Sequence, residues 1–298
     1  MVAQLVPRIP VLRKGTLWAF VRLMRPVHWG KNFLVFAAPL FAGRVLDPWT
    51  FQAAAKAFAA FTLAASAVYA CNDVLDVRAD RRHPVKRNRP VAAGVVSPAQ
   101  ALALAGILAA GALSIAFAAR TGLGVAVGLY LAFCLAYSVR LKYIPLVDIM
   151  VIAFGFVARP VGGALAAGIV MSPWFLVCVP LLSLLLAAGK RRHEILILPE
   201  EERREVLAGY SQALLDQMVA MLSAATLLAY LLYTMEGSSA KALYLTAPLV
   251  VYGLFRYLYL VYLQSNRGSP EELMLKDPPL LATVGLWVVA VFALVHKW

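Results

Sequence analysis

FQAAAKAFAAFTLAASAVYACNDVLDVRADRRHPVKRNRP, residues 51–90, changes character once. From Phe51 to Cys71 the sole charge is Lys56. A run this long and this apolar can cross a bilayer as a helix. From Asn72 to Pro90, three carboxylates and six Lys/Arg crowd together. On a continuing helix each residue advances about 100°. With Asn72 at zero, Asp73 falls at about 100°, Asp76 at about 40° and Asp80 at about 80°. These four oxygen-bearing side chains then share one face. Like charges so spaced destabilise a bare helix. A hard divalent cation, which takes oxygen ligands, reverses that sign. Pro84 is expected to end the helix, with Arg82, Lys86, Arg87 and Arg89 on a loop. Acids suited to a metal beside bases suited to anions point to a magnesium–diphosphate site. A charged loop obeying the positive-inside bias explains the arginines but not the facing acids.

Outward from this stretch the chain is 62% hydrophobic and 14% charged, against about 25% charged in soluble domains. The expectation is an all-α polytopic membrane protein, one membrane-embedded domain over 1–298, with little left for a soluble domain. The net charge of +13 then marks cytoplasmic loops and phosphate or anionic-lipid contacts rather than nucleic acid. Residues 1–15 lack the continuous apolar core of a cleaved leader. Cys71, Cys134 and Cys178 have no metal or disulfide spacing and read as small packing residues.

About nine transmembrane helices are expected, at 33–46, 51–71, 98–118, 122–139, 145–168, 172–189, 213–235, 242–263 and 279–296. Residues 1–32 form an amphipathic interfacial segment, with Trp18, Phe20, Leu23 and Met24 set against Arg22, Arg25 and Lys31. With the amino terminus inside, the inner segments 1–32, 72–97, 140–144, 190–212 and 264–278 hold about 21 of the 28 Lys/Arg. That places every charge-rich segment on the cytoplasmic face. Glu200–Glu205 with Arg203 and Arg204 reads as a solvated helical cap.

Three further clusters lie on the inner side. Tyr137, Arg140, Lys142 and Asp148 surround the loop between the fourth and fifth spans. A carboxylate flanked by apolar residues, as Asp148 is, must be paired or functional, whereas Arg140 can simply snorkel. Lys190, Arg191 and Glu194 close the sixth span, and Lys31 opens the first. Arg159 lies farther along the fifth span, either lining the cavity or meeting an outer headgroup.

Taken together, Asn72-Asp73-x-x-Asp76-x-x-x-Asp80 with Pro84, Lys86, Arg89 and Pro90 resembles the UbiA superfamily of intramembrane transferases. Arg25-Pro26-x-x-Trp29-x-Lys31-Asn32, Tyr137-Ser138-x-Arg140-x-Lys142-x-x-Pro145-x-x-Asp148 and Lys190-Arg191-x-x-Glu194, with Arg204, Val206-Leu207 and Tyr210-Ser211 beyond, are similar to its branch that transfers phosphoribosyl to polyprenyl phosphate. The likeness spans roughly residues 16–215. One departure is informative: quinone-pathway members usually carry a second aspartate-rich motif after the sixth span, and here no aspartate occurs between Lys190 and Asp216.

The resemblance implies a UbiA-like bundle with an inner-face cavity in the inner (plasma) membrane. It implies Mg²⁺ as cofactor, with phosphoribosyl diphosphate, polyprenyl (decaprenyl) phosphate and the bilayer as partners; a homo-oligomer is allowed. Asp73, Asp76 and Asp80, assisted by Asn72, would hold the ion. Lys86, Arg89 and Arg82 would hold the diphosphate, Lys142, Arg140 and Tyr137 the ribose or its 5-phosphate, and Lys31, Lys190 and Arg191 the lipid phosphate. Asp148 and Glu194 complete the expected substrate-binding set. The alternative is transfer of a prenyl group from a prenyl diphosphate to an aromatic acceptor. A non-enzymatic lipid-phosphate carrier is disfavoured because the acids cluster at one rim.

Overall fold

Several of the long helices start where the sequence supplies a side-chain cap, often followed by proline. In the computed structural model, which describes residues 17–83, 85–198, 205–238, 240–264, 268 and 270–296, the Asp47 carboxylate accepts from Thr50 N at 2.9 Å and Pro48 opens the next helix. Ser97 and Gln100 form a capping box ahead of Pro98, and Ser172 caps the helix begun by Pro173. Such caps take up amide donors that a helix start leaves bare.

The order is α1 (Leu17–Met24), a 3₁₀ segment (Pro26–Phe36), α2 (Ala37–Phe41), α3 (Pro48–Leu75), α4 (Val77–Arg82), α5 (Pro98–Ala119), α6 (Thr121–Val139), α7 (Val147–Ala167), α8 (Pro173–Ile197), α9 (Gln212–Leu232), α10 (Ala247–Leu263), α11 (Pro270–Lys276) and α12 (Pro278–His296). Eight helices among the described residues are long and apolar enough to cross a membrane. The all-α bundle expected from the sequence is therefore present.

The expected span at 33–46 is built differently. The chain breaks at Arg25, whose φ is 53°, and continues as the 3₁₀ segment and the five-residue α2. This segment turns one side to the bundle, where Asn32 and Val35 are fully buried, and leaves Val27 and Phe33 exposed. It fits because Gly163 of α7 leaves room. A Cβ there would stand 1.9 Å from the Val35 carbonyl oxygen. Among the described residues of the expected amphipathic segment, α1 is the α-helix, and its Ala19 and Leu23 pack on Ala70, Val91 and Ala101.

Two of the apolar cores are built as follows. Small residues of α3, including Ala57, Ala60 and Ala64, let α5, α6 and α7 approach closely. Leu185, Val219, Leu222, Leu254 and Tyr257 join α8, α9 and α10. Exposed Ile107, Phe117, Leu228 and Val289 form the outer surface, as expected where the surrounding solvent is hydrocarbon. A cavity of about 320 Å³ between α8, α9, α10 and α12 is lined by Leu182, Leu186, Leu254 and Trp287. It contains none of the expected site residues.

Helix boundaries also shift. The sixth span does not stop at 189; α8 runs through Lys190–Glu194 to Ile197. Arg191 and Arg192 are buried and paired there, so these charges extend the helix rather than ending it. At the other rim segment, α4 ends at Arg82 and His83 is extended. Pro84, Arg204 and the rest of 199–204, and residues 1–15, lie outside the described residues.

Candidate active site

Asp73 occupies the last turn of α3, Asp76 the joint after it and Asp80 the short α4. Backbone bonding crosses the joint: Asp76 N donates to Asn72 O at 2.9 Å and Asp80 N to Asp76 O at 2.8 Å. Asp76 itself leaves helical geometry, with φ −90° and ψ 4°. The single shared face expected of Asn72, Asp73, Asp76 and Asp80 is divided at this point. Asp73 and Asp80 are turned to one guanidinium, Arg89, whose Nη1 lies 3.6 Å from Asp73 Oδ1 and 2.7 Å from Asp80 Oδ2. Asp76 instead meets Lys142, with Nζ 2.8 Å from Oδ1. Burial pulls the Lys142 ammonium down, but the hydrogen bond and charge of Asp76 outweigh it and hold the group above its usual value.

A second guanidinium closes the cluster. Arg25 Nη2 donates to Asp73 Oδ1 and the group stacks 4.8 Å from the Tyr69 ring centroid. Arg25 is one of two non-glycine residues with positive φ among those described; the other is Leu146. Such backbone is strained and needs its surroundings to hold it. Arg25 falls in a motif that carries the resemblance but has no expected role there. The signal was there: a base at the break between an amphipathic helix and Pro26.

Next to this cluster is a buried ionic network. Arg191 and Asp148 are both inaccessible. Arg191 Nε donates to Asp148 Oδ2 at 2.6 Å, Nη1 to Glu194 at 2.5 Å and Nη2 to Tyr137 Oη at 3.1 Å. Tyr210 Oη donates to Asp148 Oδ1 at 2.5 Å and accepts from Leu146 N at 2.6 Å. Burial, and then the Asp148 carboxylate it serves, raise the Tyr210 phenol above its usual range, so it stays protonated and donating. Four elements are fastened together here. Arg191, expected to bind the lipid phosphate, is committed inside the protein, and so are Asp148, Glu194 and Tyr137 by their bonds to it. The physical reason is that a buried guanidinium must have its donors used. Tyr210 falls beyond the Lys190–Glu194 motif in the segment that carries the resemblance, but it has no expected role there.

The other expected residues scatter. Arg140 and Arg82 are exposed, whereas Lys86 and Lys190 are half-buried. Lys31 lies deeper, its Nζ 5.5 Å from the Phe156 ring centroid. Arg159 is on the same ring at 5.9 Å. It donates to Asn32 Oδ1 at 2.7 Å, to the Gly155 carbonyl and to Tyr130 Oη at 3.2 Å. Asn32 passes the connection to Thr62 at 3.0 Å. Arg159 therefore faces the interior, not an outer headgroup. Arg192, which had no assigned role, pairs with Asp216 and stacks on Tyr262 at 4.0 Å.

The profile of the UbiA prenyltransferase family matches residues 32–276. The chain belongs to the UbiA prenyltransferase family. A decaprenyl-phosphate phosphoribosyltransferase of Corynebacterium glutamicum is 34% identical over 93% of this chain and 86% of its own length. One from Mycolicibacterium smegmatis is 34% identical over 95% and 94%. Among solved structures, a UbiA homolog from Archaeoglobus fulgidus bound to GPP and Mg2+ superposes with a TM-score of 0.73 at 19% identity, covering 94% of this chain and all of the other. A UbiA homolog from Aeropyrum pernix K1 gives 0.60 at 19% identity, covering 93% and 96%. This UbiA chain is thus a multi-pass membrane transferase.

Oxygen donors are what magnesium accepts, and the UbiA rim offers Asp73, Asp76 and Asp80. The Asn72 side-chain oxygen adds to them: it is buried and accepts no hydrogen bond. That orphaned acceptor fits a ligand not yet in place. Among the described residues no three His, Cys, Asp or Glu side chains are gathered tightly enough to hold an ion as they stand, because each carboxylate is occupied by a base. A cation would take the place of these bases, not fill a gap.

Proposed function

We propose that this UbiA enzyme transfers the 5-phosphoribosyl group of phosphoribosyl diphosphate to a polyprenyl phosphate such as decaprenyl phosphate. Diphosphate is released, and the lipid-linked phosphoribose serves cell-envelope polysaccharide synthesis. The whole chain acts as one membrane-embedded domain of the plasma membrane with its charged rim toward the cytoplasm, in keeping with the Lys/Arg distribution. The observation that carries the reading is one acid cluster enclosed by Arg25, Arg89 and Lys142, without an aspartate between Lys190 and Asp216 to build a second. Donor and acceptor together bring three phosphate-bearing groups, and a base-rich rim suits them better than two facing acid clusters would. The names of the relatives agree.

Asp73, Asp76, Asp80 and Asn72 would hold Mg²⁺, the ion found with a UbiA homolog. When bound, it neutralises charge on the leaving diphosphate. Arg89 and Arg25 bind diphosphate oxygens in planar, multidentate fashion, and Lys142 adds a point charge. Arg82, Lys86 and Arg140 extend the base-rich rim. Lys190 and Lys31 are the remaining cations for the lipid phosphate; Arg191 orients the rim from behind through Tyr137, Asp148 and Glu194. The acceptor phosphate is already anionic, so no general base is needed. Its oxygen forms the bond to the anomeric carbon as the bond to diphosphate breaks, and the electron pair leaves with the diphosphate. Catalysis rests on alignment and on charge stabilisation of the leaving group.

The test is purified protein with labelled phosphoribosyl diphosphate, polyprenyl phosphates of several chain lengths and Mg²⁺, read by the mass of the lipid product. A phosphoribosyl-bearing polyprenyl phosphate is expected. No such product at any chain length overturns the reading, and diphosphate release from a prenyl diphosphate with an aromatic acceptor would replace it. Asp73→Asn and Asp76→Asn are expected to lower turnover by orders of magnitude in folded protein.

A further inference from the structure

Three acids of the rim face three bases, Arg89 being shared between Asp73 and Asp80. Asp73, Asp76 and Asp80 face Arg25, Arg89 and Lys142, so the cluster sums to zero charge. The acids Asp73 and Asp80 are buried, with side chains 2% and 4% exposed, whereas Arg25, Arg89 and Lys142 are 22%, 27% and 17% exposed. The acids are carried by α3, α4 and the joint between them. The bases are carried by three separate segments outside those helices: the break at Arg25, the loop after α4 and the turn after α6.

A bare divalent ion entering this neutral cluster would leave an excess of two positive charges in a poorly solvated place, which is costly. It would also have to strip the acids of their hydrogen-bonded partners. A diphosphate entering alone would take the bases and leave three carboxylates repelling one another. Both together exchange every partner at once: metal replaces base on the acids, and diphosphate replaces acid on the bases.

We infer that Arg25, Arg89 and Lys142 are exchangeable counter-ions, closing the acid cluster in the empty enzyme and passing to the donor diphosphate when metal and donor bind, so that the two bind as a coupled pair. This rests on the metal and diphosphate assignment proposed above. The coupling is reciprocal, since a ligand that tightens another is tightened by it equally. An affinity factor of about ten to a hundred in each direction is expected. Metal alone is held off the rim until there is a donor for it to serve.

The test is Mn²⁺ binding to purified protein, followed by electron paramagnetic resonance with and without inorganic diphosphate, each corrected with protein-free controls. Wild type is expected to bind Mn²⁺ alone weakly and at least tenfold more tightly with diphosphate. Arg89→Gln and Lys142→Gln are expected to bind Mn²⁺ alone about tenfold more tightly than wild type, while losing most of the gain from diphosphate. If neither variant tightens Mn²⁺ alone, or diphosphate leaves wild-type binding unchanged, the exchange is refuted. Lys142→Gln, at the more exposed Asp76, carries the test if Arg89→Gln does not fold. Asp73→Asn separates the two levels. If it leaves Mn²⁺ binding with diphosphate intact, the metal assignment fails. If it abolishes binding while the base variants do not tighten Mn²⁺, the assignment stands and the exchange alone fails.

Discussion

Replacing Arg191 with methionine keeps most of the side-chain volume and removes the charge. Asp148 then keeps Tyr210 alone, and Glu194 and Tyr137 lose their donors. At 2.6 Å and an effective dielectric constant near 20, the Arg191–Asp148 attraction is roughly 6 kcal/mol. Desolvation offsets part of that, and breaking a buried pair costs about 3–5 kcal/mol. For a chain of this size each kcal/mol shifts the melting temperature by roughly 2–4 °C. Arg191→Met should therefore melt about 10 °C below wild type in nanodiscs, followed by intrinsic tryptophan fluorescence. The double variant Arg191→Met/Asp148→Leu should recover most of the loss, because a buried ion pair exchanged for apolar groups is often neutral. An unchanged melting temperature in Arg191→Met, with a raised KM for the polyprenyl phosphate alone, would refute the reasoning. Arg191 would then be a substrate contact and not an internal fastener.

Gly163→Ala places a methyl against the Val35 carbonyl; overpacking of this kind costs about 1–3 kcal/mol, so a lower melting temperature and weaker donor binding are expected as the 3₁₀ segment shifts. Arg159→Leu leaves the buried Asn32 oxygen without a donor, and a melting loss equivalent to about 1–3 kcal/mol is expected. Asp277 is held below its usual 3.8 chiefly by its hydrogen bonds from Arg256. A depressed folded-state pKa gives stability that is present above the unfolded value and lost as pH falls through the folded one. Melting temperature should therefore fall below pH 3.8, and Asp277→Asn should flatten that part of the profile.

Composition and hydropathy were enough to read a polytopic helical bundle, because hydrocarbon leaves few other ways to satisfy a spanning backbone. Span ends were less legible where charges are buried. Arg191 and Arg192 look like loop residues in sequence, yet partners from distant segments keep them helical. The 3₁₀ segment was hidden for a similar reason, since Asn32 is tolerable inside only because Thr62 and Arg159 wait there. In the site, the acids could be found from their spacing on one helix. How they divide could not, because the turn at Asp76 is local backbone geometry. Tyr210 and Arg25 reach the rim through tertiary contacts that no periodicity encodes.

Arg159 is 6% exposed and, among the described residues, has no carboxylate at ion-pair distance; its partners are neutral. Along α7 it stands about 16 Å from Asp148. A fixed positive charge at that depth repels protons and metal ions, as arginine does in pores that exclude them. The interior behind the acid rim thus carries a positive charge that disfavours cations there, whereas the rim itself presents carboxylates.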